Sequence, residues 1–115
     1  MKKRNPVFFL KDIEMAVNKI LNYTKNMDFD MFQNDEKTID AVERNFEIIG
    51  EAVKNLPEKI KNSYTKVPFK QIAGMRDKLI HDYFGVDYEI VYKTIIDKLP
   101  EFKTQIEKII KEISL

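Results

Sequence analysis

The chain has 115 residues and a mass of 13.7 kDa, the size of a single domain, which leaves no room for a second catalytic domain. It has no cysteine and one histidine, so disulfide frameworks, zinc fingers, iron–sulfur clusters and thiol nucleophiles are excluded. A net charge of +1 argues against a general affinity for nucleic acid, and no apolar run approaches the roughly 18 residues of a membrane span, so we expect a cytoplasmic protein.

Helical patterns fill most of the chain, because only three glycines and four prolines interrupt it and strand-like alternation is nearly absent. The first helix is predicted from Pro6 to about Asn26, and the stretch from Met27 to Asp35 is predicted to be a loop. A second helix is predicted from about Glu36 to Leu56. Its regular apolar seam suits an antiparallel neighbour or a dimer partner and consists of Ile39, Val42, Phe46, Ile49, Val53 and Leu56.

The second half of the chain is punctuated by prolines at helix starts. Pro57 fits the first turn of a short helix that runs from Glu58 to about Ser63. Pro68 opens a helix that ends near Gly85, with an apolar arc formed by Phe69, Ile72, Met75, Leu79 and Tyr83. The last two helices are predicted over 86–99 and 100–113. We therefore expect one domain over residues 1–115, an all-α, up-and-down bundle of five or six helices, one of them short.

The helix predicted over 68–84 also carries a cluster of polar side chains. On a helical wheel of about 100° per residue, Asp77 and His81 point away from the apolar arc and Arg76 lies on its border. Asp77 and His81 are four residues apart, so the carboxylate could hold one ring nitrogen and fix the tautomer, as a general base requires. Arg76 offers a planar fork of donors suited to a phosphate. The ordinary alternatives are a surface ion pair of Arg76 with Asp77 or Asp82, and a boundary position for Tyr83.

The same segment carries a family resemblance. The run Arg76-Asp-Lys-Leu-Ile-His81-Asp-Tyr83 matches R-x4-H-x-Y and resembles the HepT-like branch of the HEPN superfamily of small helical proteins. The similarity covers roughly residues 39–100, with Phe69 where similar proteins often have tryptophan, which is a packing change. The other matching segments are R-N-F-E-I-I-G-E-A from Arg44 to Ala52, V-P-F-K-Q-I-A-G-M from Val67 to Met75, D-Y-F-G-V-D from Asp82 to Asp87, and I-V-Y-K-T-I-I-D-K-L-P from Ile90 to Pro100.

This resemblance implies a toxin of a toxin–antitoxin pair, a metal-independent endoribonuclease without a cofactor that works as a homodimer. Its implied partner is an MntA-type minimal nucleotidyltransferase antitoxin, which silences the toxin by transferring AMP onto the motif tyrosine. By the same resemblance Arg76 and His81 are the catalytic pair. The implied supporting residues and the AMP acceptor are Asp77, Glu51, Arg44 and Tyr83.

The chemistry of RNA cleavage gives a separate reason to expect a dimer. Internal attack by a ribose 2′-hydroxyl needs one group to accept its proton and another to protonate the leaving 5′-oxygen, and one chain has one histidine. Two chains that meet near their 68–84 helices would supply two imidazoles and a basic groove drawn partly from Lys66, Lys70 and Lys78. No D-x-D or E-x-x-H pattern stands beside His81, so we expect no metal site and products with a 2′,3′-cyclic phosphate and a 5′-hydroxyl.

Two other functions remain open at this point. The first is a non-catalytic helical dimer that binds a nucleotidyltransferase or presents substrate to it. The second is a plain bundle that dimerises through its long seam, in which Arg76 and His81 would lie far from each other.

Overall fold

The computed structural model describes residues 4–82 and 84–114. Within these ranges it contains eight helices and no strand, which confirms the all-α class. The four long helices are α1 (Pro6–Tyr23), α3 (Glu36–Asn55), α7 (Val86–Asp97) and α8 (Leu99–Ile113). The four short helices are α2 (Phe29–Gln33), α4 (Glu58–Ser63), α5 (Phe69–Ala73) and α6 (Met75–Ile80). No helix in the described ranges is long and apolar enough to cross a membrane.

The long helices begin and end within three residues of the predicted bounds, and the largest difference is at α1, which ends at Tyr23 and not near Asn26. The Asn5 side chain accepts a hydrogen bond from the Val7 N–H ahead of α1, and the Asp35 side chain does the same for Thr38 ahead of α3. α3 ends before Pro57, since a proline disfavours the helical conformation of the residue that precedes it. The predicted seam of α3 is buried along its whole length, which confirms that prediction.

The prediction of a loop over residues 27–35 was wrong, because α2 forms there. The Asp28 carboxylate accepts a hydrogen bond from the Met31 N–H at 2.8 Å and caps this short helix. Phe32 is fully buried, and its ring lies 5.7 Å from that of Tyr92 on α7. One local cap and one tertiary contact therefore stabilise a helix that is too short to show a repeating pattern.

The single helix predicted over 68–84 was also wrong in detail. It is divided at Gly74 into α5 and α6, and α6 ends at Ile80. His81 has φ −105° and ψ 32° and lies outside the helix as its C-cap. This division, together with α2, accounts for the two segments beyond the six that the sequence predicts.

The fold places α6 between two long helices. The buried side chains form one hydrophobic cluster. α3 contacts α1 and also α5 and α6, while α7 contacts α6 and α8, and α8 returns to α1. On α6 the side chains of Met75 and Leu79 are buried, as predicted, so this helix is anchored with its other face outward.

Candidate active site

Arg76 lies near the amino end of α6, on its outer face, and His81 lies just beyond its carboxyl end. His81 is exposed and Arg76 is half-buried, so the prediction that His81 lies off the apolar arc is confirmed. Five residues separate them, which is about 7.5 Å along a helix axis. Because five positions also rotate by about 140° around a helix, both residues can contact one bound phosphodiester only if their side chains turn toward it.

The guanidinium of Arg76 is paired across to α3, to a residue that the sequence did not single out. Its Nε lies 3.8 Å from Glu47 Oε2, and Arg44 Nη1 lies 3.4 Å from Oε1 of the same carboxylate. The alternative of an ion pair with Asp77 or Asp82 is thus replaced by a pair with Glu47. The structure brings together Arg44 and Arg76, with one carboxylate between them.

One nitrogen of Arg76 is left without a hydrogen bond. Nε is buried and has no hydrogen-bond partner among the described residues, although 42% of the side-chain area is exposed. A buried donor without a partner costs free energy, so such an atom calls for an explanation in a native structure. The two Nη nitrogens form no hydrogen bond within the described ranges.

Asp77 does not hold the imidazole of His81. The contact between them is a backbone hydrogen bond, in which the His81 N–H donates to the Asp77 carbonyl at 2.9 Å. The predicted hydrogen bond between the two side chains is absent from the part of the chain that the structure describes. The reason is that residue 81 has left the helical conformation, so the four-residue spacing no longer aligns the two side chains.

Asp82 orders the turn that follows His81. Its carboxylate accepts the N–H of Gly85 at 2.9 Å and the N–H of Tyr88 at 2.8 Å, and so it joins the turn to the start of α7. Phe84 and Gly85 both have positive φ, at 53° and 79°. A non-glycine residue in this conformation is uncommon and is found more often near functional sites. The signal available in the sequence was an aspartate three residues before a glycine that precedes a helix.

Acidic side chains surround the far side of this turn. Burial raises the pKa of Tyr88, and the negative charges of Asp82 and of three α3 residues raise it further. These α3 residues are Glu43, Asp40 and Glu36. The first half of α3 therefore carries a negative surface, which would repel a polyanion. A polyanion would bind instead on the side of Arg44 and Arg76.

The remaining predicted site residues are dispersed. Glu51 is exposed and lines a hollow of about 290 Å³ with Arg44 and Glu47, but no contact joins it to Arg76 in the described structure. Lys66 lines a hollow of about 410 Å³ beside Lys108. Lys70 lines a different hollow of about 520 Å³, together with Lys54 and Lys61, which the sequence did not single out. Lys78 is half-buried on α6 and lines neither of these two hollows.

Tyr83 lies outside the described residues, so the structure gives no account of its side chain. Over residues 4–82 and 84–114, no group of three or more histidine, aspartate or glutamate side chains is arranged to hold a metal ion.

Comparison with known proteins places this geometry in context. The family model described as ribonuclease HepT-like matches residues 13–109. A candidate RNase of Methanocaldococcus jannaschii is 50% identical over 113 residues, which are 98% of this chain and 93% of that protein. The probable ribonuclease HepT of Thermococcus cleftensis is 43% identical over 109 residues, covering 95% of this chain and 99% of that protein. No solved structure matches the chain at a significant level.

Proposed function

Because the chain belongs to the HepT-like ribonuclease family, we propose that it is an endoribonuclease whose catalytic residues are Arg76 and His81. The observation that carries this proposal is the exposed imidazole at the carboxyl end of α6 together with the half-exposed guanidinium near its amino end, in a chain similar to proteins named as ribonucleases. In this proposal the Asp77 carbonyl helps to position His81 by accepting its backbone N–H. Arg44 contacts the carboxylate of Glu47, which is the ion-pair partner of Arg76.

The proposed reaction is a transesterification that needs no metal ion. The imidazole of His81 accepts the proton of a ribose 2′-hydroxyl, whose oxygen attacks the adjacent phosphorus. The bond to the 5′-oxygen breaks, and a second imidazole in its protonated form donates a proton to that oxygen. Arg76 stabilises the negative charge that develops on the phosphorane. The products are a 2′,3′-cyclic phosphate and a 5′-hydroxyl.

The second imidazole requires a second copy of the chain, so the active form is a homodimer. An exposed apolar patch at the corner between α6 and α7 supports this, and it consists of Ile80, Phe84, Val86 and Ile90. We call it the corner patch. Ile80 lies one helical turn beyond Arg76, so pairing of two corner patches brings both catalytic pairs to the dimer axis. Exposed apolar clusters of this kind are typical of protein interfaces.

The direct test is the variant His81→Ala, incubated with total RNA in the presence of EDTA. We expect cleavage by the wild-type dimer and its loss in the variant, with folding unchanged because an exposed side chain contributes little packing. Circular dichroism checks the fold, and Asn62→Ala, at an exposed position on α4, is the control. A variant that cleaves as fast as the wild type contradicts the assignment of His81. A well-folded wild-type dimer that cleaves nothing supports the non-catalytic alternative.

The cellular role we propose is that of a toxin paired with an MntA-type nucleotidyltransferase antitoxin. In this proposal the Tyr83 hydroxyl attacks the α-phosphate of ATP, pyrophosphate leaves, and AMP becomes esterified to the tyrosine. The anion added to this motif residue would lower the positive charge of the site and repel RNA. We expect mass spectrometry to find one added AMP on wild-type chains and none on Tyr83→Phe. Full inhibition of unmodified Tyr83→Phe by the partner would show that complex formation, and not AMP, silences the toxin.

A further inference from the structure

The position of Arg76 relative to α3 points to a residue outside the R-x4-H motif. Its buried Nε lacks a hydrogen bond, and an acceptor of opposite charge, Glu47 Oε2, lies 3.8 Å away. This is within ion-pair range and a few tenths of an ångström beyond a good N–H···O bond. A small movement of either side chain would satisfy the unpartnered donor.

Glu47 is held in place from the other side. Its second oxygen, Oε1, lies 3.4 Å from Arg44 Nη1, three residues earlier on α3. Its helical neighbours Phe46 and Ile49 are fully buried, so this part of α3 is anchored in the core. The carboxylate therefore has a fixed base, one oxygen engaged by Arg44 and the other aimed at Arg76.

We propose that Glu47 is a positioning residue that orients the guanidinium of Arg76 toward the scissile phosphate. This inference rests on the proposed ribonuclease function. When RNA binds, the Nε–H of Arg76 donates a charge-assisted hydrogen bond to Glu47 Oε2, and the gap of 3.8 Å closes. Hydrogen bonds of catalytic groups are often long without substrate and shorten in the complex.

The geometry of a guanidinium explains why this matters. Its five N–H donors lie in one plane, one on Nε and four on the Nη atoms. A carboxylate that engages Nε fixes the rotation of this plane and leaves the outer edge, with both Nη atoms, for two oxygens of a phosphate. Two arginines share the single negative charge of Glu47, so the cluster keeps a net positive charge toward RNA.

The test compares Glu47→Ala and Glu47→Gln with the wild-type homodimer on a defined RNA, in single-turnover and steady-state assays. Loss of orientation acts in the transition state, so we expect kcat to fall about 10- to 100-fold in Glu47→Ala, with a smaller change in KM. Glu47→Gln keeps an amide oxygen that can accept from Nε, so we expect partial rescue. Glu107→Ala, which removes an exposed carboxylate on α8, is the control and should keep the wild-type kcat.

A double-mutant cycle separates positioning from a merely structural role. Arg76→Lys has no Nε–H and no fork, so adding Glu47→Ala to it should reduce kcat little further. Full additivity of the two losses, or a kcat of Glu47→Ala within about twofold of the wild type, overturns the inference while leaving the ribonuclease function intact. A wild-type dimer without RNA cleavage overturns both. When the wild type cleaves RNA, Arg76→Ala should be inactive, and full activity of that variant overturns the inference about Glu47 because its target would then have no role.

Discussion

At the scale of single residues, the turn after His81 depends on a glycine. Gly85 has a φ of 79°, and a Cβ placed on it would lie 3.4 Å from the Gln33 side-chain oxygen. Gly85→Ala should lower the free energy of unfolding by about 1–2 kcal/mol, because an L residue is strained in the left-handed conformation. Urea denaturation of the purified protein measures this difference.

Gly74→Ala is the matched comparison for Gly85→Ala. Gly74 has φ −76° in the right-handed region, and its Cβ would lie at ordinary contact distance from backbone oxygens of Lys70 and Gln71. We expect unchanged or slightly higher stability, since alanine reduces the freedom of the unfolded chain. Equal losses in both variants would show that the positive φ is not what Gly85 contributes.

Periodicity predicted which residues of the candidate site are buried, and it did not predict their partners. The wheel correctly separated the buried Met75 and Leu79 from the exposed His81, because burial depends on the helix face alone. Glu47 could not be predicted as the partner of Arg76, since that contact joins two helices and depends on how they are aligned. Local sequence offered only Asp77 and Asp82 as partners.

At the scale of elements, long helices were predictable and short ones less so. α1, α3 and α8 repeat an apolar stripe over several turns, so their bounds follow from the sequence to within a few residues. α2 has five residues, too few for a period, and is held by the Asp28 cap and the packing of Phe32. The division at Gly74 was missed because a single glycine within a helical pattern is often tolerated.

The early end of α6 has a consequence for the site. The helix ends at Ile80, so His81 is held by its backbone N–H, which donates to the Asp77 carbonyl, and the turn behind it is held by the Asp82 hydrogen bonds to Gly85 and Tyr88. The imidazole is therefore carried by a connection between two helices, whereas Arg76 is carried by a helix. In the proposed mechanism the acid–base group and the phosphate-binding group therefore rest on separate supports, and the start of α7 helps to hold the turn behind His81.

At the scale of the whole molecule, the predicted groove of Lys66, Lys70 and Lys78 is not a single feature of one chain. Lys66 and Lys70 line different hollows, since residues that are close in sequence here lie on a loop and a short helix. The positive cluster at the candidate site is Arg44 with Arg76, across α3 and α6. In the proposed dimer two such clusters would meet at the axis, so RNA binding is expected there.

The corner patch gives the dimer a direct test. Val86 is 56% exposed. Val86→Asp would place one negative charge from each chain at the proposed interface, where the two charges would be desolvated and would repel each other. We expect the variant to sediment as a monomer at concentrations where the wild type is a dimer. Its RNA cleavage should fall with dimer content, because in the proposed mechanism each cleavage uses one imidazole from each chain.

Met15→Asp is the control for Val86→Asp, because Met15 is 59% exposed on the outer face of α1, away from the corner patch. The same change of a large apolar side chain to a charge should there leave both assembly and cleavage unaffected. A Val86→Asp chain that stays dimeric would place the interface elsewhere. A fully monomeric chain with undiminished cleavage would show that one imidazole suffices. In that case solvent would have to protonate the leaving 5′-oxygen.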